Sequence, residues 1–259
     1  MKFNFHYLPY LTLGILLLVA CNKQEMATPK ANEFSLSIEE IRSVGTLHNE
    51  ILIETIDNFQ PTSDETMIVD FFTSLKEVSE SKAITVPDKS IEDAAEYGDP
   101  GKLLMSLKSN KGKELFRKIN SIINQGGHYN EIANSLDLIF NDAQQSLTGT
   151  ERDAILLFCE VSKNSAQLWL PAENGGLGYG DILSDKLRRG NALELREEGS
   201  CWNVVIAADG IAAAGYFTGV GLAILAMPGT NVALVTAVGW SAAVSSGYAY
   251  LTADECNEE

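Results

Sequence analysis

Basic residues, histidines and cysteines are scarce in this chain of 259 residues. It holds 19 Lys and Arg against 35 Asp and Glu, for a net charge of −16 at pH 7. Such a surface repels phosphate backbones and anionic headgroups, so neither nucleic acid nor electrostatic membrane docking is expected. Of three histidines, only His48 and His128 lie beyond residue 20, and no His-x-x-His, His-Glu-x-x-His or Cys-x-x-Cys spacing occurs. A zinc centre has no ligand pattern to rest on, and nothing in the sequence calls for another metal or a cofactor. Strand-like alternation is scarce before residue 200, which removes most of the ground for a sheet. Gly175, Gly176, Gly178 and Gly180 crowd together, but no Gly-Lys-Ser/Thr follows and no strand precedes them. They read as a turn-rich loop and not as a phosphate cradle.

What the chain does have begins at its N-terminus. Lys2 precedes an apolar run from Leu8 to Ala20, which ends in Leu18-Val19-Ala20-Cys21. An apolar core this short, closed by small residues, reads as an export signal and not as a spanning helix. A leucine three places before a cysteine resembles the lipobox of bacterial lipoproteins. The resemblance implies cleavage before Cys21 and acylation of that thiol and of the new N-terminus. Removing residues 1–20, with one lysine and no acid, leaves 18 basic and 35 acidic residues, a net charge of −17. The acyl chains must then supply the membrane affinity, at about 0.8 kcal/mol per buried CH₂. Residues 21–35 are polar, contain Pro29 and lack periodicity, as a flexible tether would.

Helical periodicity dominates from residue 36 to 172. Ser37 and Glu40 have capping-box spacing, and Ile41, Val44, Leu47, Ile51 and Ile56 follow on one face. Further helices are predicted over Asp64–Glu80, Lys113–Asn124 and Glu131–Gln145. A long one opens on the Thr148/Glu151 capping pair and ends before Pro171. Residues 83–101 hold Pro87, Gly98, Pro100 and Gly101 and read as a loop with one helical turn near Ile91–Tyr97. Residues 173–200 read as a connector.

The C-terminal region, 201–256, differs in composition. Gly210–Met227 is uncharged, Pro228-Gly229 interrupts it, and Asn231–Thr252 is uncharged again. Two helices joined by Pro-Gly-Thr would form an antiparallel hairpin. Small residues recur every fourth place, Gly215 and Gly219 on the first arm and Gly239, Ala243 and Gly247 on the second. Such a row lets helix backbones approach closely and marks a candidate assembly surface. Each arm is long enough for a bilayer, yet both lean on Ala, Gly, Ser and Thr, which weakens insertion. A packed or assembly-forming hairpin and a membrane-contacting one both remain open at this point. Cys201 and Cys256 flank the region and form the favoured disulfide pair, with roughly 4 kcal/mol of stabilisation for a loop of that length.

Candidates for chemistry are few. His48, with Asn49 beside it, could act as a general base and Cys159 as a nucleophile from a later helix. Against this stands the commoner role of such residues, a hydrogen-bonded core histidine and a buried thiol. Gly45 in a helix interior suggests that another chain segment approaches closely there. Asp209, the one acid in the apolar region, reads as a cap for a helix starting at Gly210.

Three segments together carry a wider resemblance. They are Val44-Gly45-Thr46-Leu47-His48-Asn49 with Leu52, Ser165-Ala166-Gln167-Leu168-Trp169, and the Gly/Ala-rich stretch from Asp209-Gly210. With them the chain resembles a group of Bacteroidota lipoproteins that have no assigned activity. The resemblance implies a location and a two-part architecture. The sequence as a whole leads us to expect a mainly α fold, a helical domain followed by a Gly/Ala-rich helical hairpin. It would be lipid-anchored in a Gram-negative envelope, at the outer membrane, and would serve as a non-enzymatic binding or self-associating module. A membrane-active, bacteriocin-like role for the hairpin is the alternative, and a hydrolase or transferase using His48 the third. Metabolic labelling with a fatty-acid analogue should mark the wild-type chain, and Cys21→Ala should abolish the label. Persistent labelling of that variant would refute the lipobox.

Overall fold

In a computed structural model, residues 35–63, 66–84, 98–189, 202–221 and 231–252 are described. The signal, most of the tether, Cys201, Cys256, residues 91–97 and the 228–230 joint lie outside the described residues. Nine α-helices and no strand occur among the described residues. In chain order they are α1 (Ile38–Asn58), α2 (Met67–Ser81), α3 (Pro100–Ser106), α4 (Asn110–Gln125) and α5 (Tyr129–Ser146). Then come α6 (Gly149–Trp169), α7 (Tyr179–Arg189), α8 (Trp202–Tyr216), continued by a π-turn at Phe217–Gly221, and α9 (Asn231–Thr252). The mainly α class expected from the periodicity is the one observed.

Helix α6 is the axis of the bundle because its middle is buried on every side. Every residue from Asp153 to Ser162 is buried, including the consecutive Ala154, Ile155, Leu156, Leu157 and Phe158. Five consecutive apolar residues cover more than one full turn, so this part of the helix must be surrounded. Around it stand α1, α5 and α8, with α4 and α7 making smaller contacts. The outer helices show the narrower stripe of a one-sided element: α4 buries Leu115, Phe116, Ile119 and Ile123, and α5 buries Ile132, Leu136, Ile139, Phe140 and Ala143.

Helix α1 begins as its sequence dictates. Ser37 Oγ accepts from the Glu40 backbone N–H, and Glu40 Oε2 accepts from the Ser37 N–H. Just upstream, buried Leu36 is fixed by its N–H on Asp153 Oδ2 at 2.8 Å and by Arg152 donating to its carbonyl at 3.0 Å. Leu36 thus meets the start of α6 while Asn49 meets Asn164, so α1 and α6 run parallel. Lys186 of α7 covers the other end of α1, donating to the Asp57 and Phe59 carbonyls at 2.6 and 3.2 Å.

The apolar C-terminal helices complete the same core. Trp169 stacks on Trp202, and Ser162 donates to the Ile206 carbonyl, so α8 runs antiparallel to α6. Trp202 meets Tyr250 while Asp209 meets Ser246, so α8 and α9 are antiparallel to each other. Helix α9 also packs on α1 and α2. Residues from both sides of the 173–200 connector share one hydrophobic core.

Four local expectations need correction. Thr148 makes no side-chain cap bond; Glu151 instead accepts from the Ser109 N–H at 2.9 Å and tethers the start of α4. The connector contains α7, whose Leu183 and Leu187 are buried. Gly175 and Gly178 take positive φ there, as a turn requires, but Gly180 is helical. Helix α3 starts at the end of the stretch expected to be loop and runs on through residues for which no helix is predicted, capped by Asp99 with Pro100 in its first turn. Asp209 is no cap, because α8 already begins at Trp202.

Glycine is demanded at Gly210, where an added Cβ would overlap the Phe158 ring and Ser162 Oγ of α6. Alanine gains about 1 kcal/mol over glycine in an exposed helix. Here overpacking should outweigh that gain, and Gly210→Ala should lose about 1–3 kcal/mol in denaturant unfolding. A stabilised variant would contradict this packing.

Candidate functional site

Four helices deliver polar side chains to one sealed point. Asp209 of α8, His48 of α1, Ser165 of α6 and Ser246 of α9 are all fully buried. His48 lies between Val44 and Leu52 on the apolar face of α1, and Ser165 lies between Ser162 and Trp169 on one buried stripe of α6. Gly45 permits the approach of α1 to α6, since a Cβ there would overlap the Asn164 side chain.

Asp209 Oδ2 is the centre. It accepts a short hydrogen bond from Ser165 and one of 2.6 Å from Ser246. His48 Nε2 lies 3.3 Å from the same oxygen. That contact is out of line for a hydrogen bond and acts as an electrostatic one. Trp169 Nε1 donates to Ser246 Oγ at 3.1 Å, which leaves the Ser246 proton to Asp209. Oδ1 of Asp209 is buried with no partner among the described residues.

The far side of the imidazole fixes its protons. Asn49 Nδ2 donates to the Asn164 carbonyl at 2.9 Å, so Asn49 Oδ1 is turned to His48 Nδ1, also at 2.9 Å. Nδ1 must therefore carry a hydrogen. A bare Nε2 would then hold its lone pair against a carboxylate in a dry interior, which is repulsive. With a proton on Nε2 as well, the contact becomes an imidazolium–carboxylate pair. From Asn164 the network continues through Glu160 to Lys163 and Asp137 at the surface, with contacts of 3.0, 2.9 and 2.9 Å.

The residues singled out from the sequence separate into two groups. His48 and Asn49 are in the network, and Asp209 joins them as its anchor. Cys159 is elsewhere in role: it is buried in the middle of α6, and burial pushes its thiol far up, away from the thiolate a nucleophile needs. Both ring nitrogens of His48 face Asn49 and Asp209, so no nucleophile is activated there. His128 is exposed at the start of α5. Among the described residues no three His, Cys, Asp or Glu side chains are placed to hold a metal ion.

The small-residue row is corrected as an assembly surface. Gly239 abuts Val44 and Leu47 of α1, Gly247 abuts the Phe71 ring of α2, and Gly215 and Ala243 are buried. Close approach is used within the chain, and of the row only Gly219 faces solvent. Sequence reasoning missed Ser246 and the interior role of Asp209. The available signal was that Asp209 is the sole charged residue between Trp202 and Thr252.

Compared with protein-family models, curated proteins and solved structures, the chain matches none.

Removing one partner of a buried charge pair strands the other, a loss of about 3–5 kcal/mol. His48→Ala and Asp209→Ala should each lose stability on that scale in urea unfolding. The double variant should lose clearly less than the sum of the two. Strict additivity would show that the pair is uncoupled.

Proposed function

We propose that the chain is a lipid-anchored protein of a Gram-negative cell envelope, held at the outer membrane through Cys21. In this reading its folded part is a non-enzymatic binding or assembly module, of the kind implied by the resemblance to Bacteroidota lipoproteins. The supporting observation is what the polar residues do. His48, Asp209, Ser165 and Ser246 meet at one fully buried point, an arrangement that joins four helices and is closed to solvent. The partner surface then lies on the outer faces of the bundle and not on the glycine row. The test is chemical cross-linking in intact cells, comparing the wild type with the folded His48→Gln/Asp209→Asn variant. A cross-linked complex of the same size in both is expected. A wild-type chain that stays a monomer, or a complex lost in the variant, would count against the module.

A second reading, a membrane-active role for the hairpin, has its own support. Val232–Leu251 is long and apolar enough to cross a membrane by length and composition, although most of it is buried inside the bundle. Its partner α8 is apolar on every side and carries only Asp209 as a charge. Helices of that kind suit either a core or a bilayer.

A further inference from the structure

The chain is acidic as a whole, but its charge is unevenly spread. Residues 100–130 hold six of the 19 basic residues and one of the 35 acids, so this stretch carries +5 and the rest of the chain −21. It forms α3 and α4, and all seven of those side chains are exposed or partly exposed. The cations fall into two sets. Lys111 and Lys118 flank Glu114, and Lys111 also reaches Asp142 of α5 at 2.8 Å. Among the described residues no side-chain partner engages Lys108, Lys113 or Arg117. Lys113 and Arg117 stand four apart on one stripe of α4, and like charges at that spacing disfavour a helix. The fold gains nothing from that pair. Three positions before Lys108, Met105 of α3 is 78% exposed, more than any other large apolar side chain among the described residues.

This face stands at the end of the bundle where the N-terminal segment joins it. The start of α6 holds both: Glu151 accepts from the Ser109 N–H at 2.9 Å, and Asp153 from the Leu36 N–H at 2.8 Å. Helix α6 has 21 residues and so runs about 30 Å, several times the Debye length of about 8 Å at physiological salt. Charges at its far end are therefore screened from this one. The nearer acids are engaged by the fold. Asp99 caps α3, Glu151 holds Ser109, and Glu114 and Asp142 are taken up by Lys111 and Lys118. Glu39 is exposed at the start of α1, with Arg42 three places on to offset it.

We propose that the face formed by Lys108, Lys113 and Arg117 docks on the anionic phospholipid headgroups of the bilayer that holds acylated Cys21, with Met105 entering the headgroup layer. The proposal rests on the lipid-anchored reading above. The charge of the whole chain argues against electrostatic docking, but the field at a contact is set by charges within about one Debye length, and here the unengaged ones are cations. A basic patch beside an acyl anchor is the usual second signal for stable attachment. Each Lys or Arg brought to an anionic surface improves binding about fivefold. The nearness of the anchored segment favours lipid over an acidic protein as the occupant. Docking also gives the bundle an orientation: it stands on α3 and the first half of α4, and the far end of α6 points away from the bilayer.

The test uses lipid-free residues 22–259, which contain every described residue, so that no acyl chain drives binding. Flotation with phosphatidylcholine–phosphatidylglycerol vesicles is compared with flotation on phosphatidylcholine alone, at about 0.1 M salt. The wild type should float with the anionic vesicles only, and about 1 M salt should release it. Lys108→Gln/Lys113→Gln/Arg117→Gln removes three cations that hold nothing in the fold, and should bind about a hundredfold more weakly. Lys76→Gln/Arg188→Gln/Arg189→Gln makes the same change in net charge on exposed positions of α2 and α7, and should bind as the wild type does. A wild type that never floats with anionic vesicles would overturn the proposal and point to an acidic protein as the occupant. Equal flotation with both kinds of vesicle would overturn it in favour of the membrane-active reading. Equal weakening in the two triple variants would show net charge at work and overturn it as well. Fatty-acid labelling at Cys21 decides the anchor separately, and an unlabelled wild type would end the anchored reading whatever the vesicles show.

Discussion

A carboxylate buried in a helix that has no other charge is the constraint on which this molecule depends. Asp209 cannot be left dry and alone, so three other helices must each bring a group to it: His48 from α1, Ser165 from α6 and Ser246 from α9. Apolar packing by itself allows helices to slide and rotate with modest loss, since it is non-directional. The polar point removes that freedom. It sets the rotation of α1, α6, α8 and α9 together, because a shift of one residue in any of them moves its donor off the carboxylate.

Small residues make the arrangement sterically possible. Gly45 lets α1 reach α6, Gly210 lets α8 seat on Phe158 and Ser162, and Gly239 and Gly247 let α9 lie against α1 and α2. Short polar side chains such as serine reach a neighbouring helix only when backbones are close. The glycine row and the serine–aspartate cluster are therefore two parts of one solution. The stacked rings of Trp169, Trp202 and Tyr250 close the end of this region, with Trp169 also donating to Ser246.

Much of the helical architecture could be read from residue order, and the reasons are local. Apolar spacing places α1, α4, α5 and α6 within a few residues of their observed ends, and the Ser37/Glu40 capping box forms as its spacing predicts. Where reading failed, a longer-range contact decided. Glu151 has the spacing to cap its own helix, but the start of α4 offers it another N–H. The 173–200 stretch looks like a connector because glycines mask the short amphipathic run that becomes α7. Part of the site was legible too. His48 and Asn49 stood out, as did the one charge in the apolar region. What one dimension could not supply was that His48, Ser165, Asp209 and Ser246, separated by up to 198 positions from the first to the last, meet at one point. Small-residue spacing likewise shows that close approach is wanted without saying whether the other helix belongs to the same chain.

The protonation of His48 is the centre of this account, since it turns a contact at 3.3 Å into an ionic one. It can be measured directly by nitrogen-15 NMR of the folded chain with labelled histidine, the His48 signals being assigned by comparison with His48→Gln. Both ring nitrogens of His48 should show the shifts of a doubly protonated imidazolium at neutral pH. A neutral His48 ring, with one nitrogen lacking its proton, would contradict the charged pair.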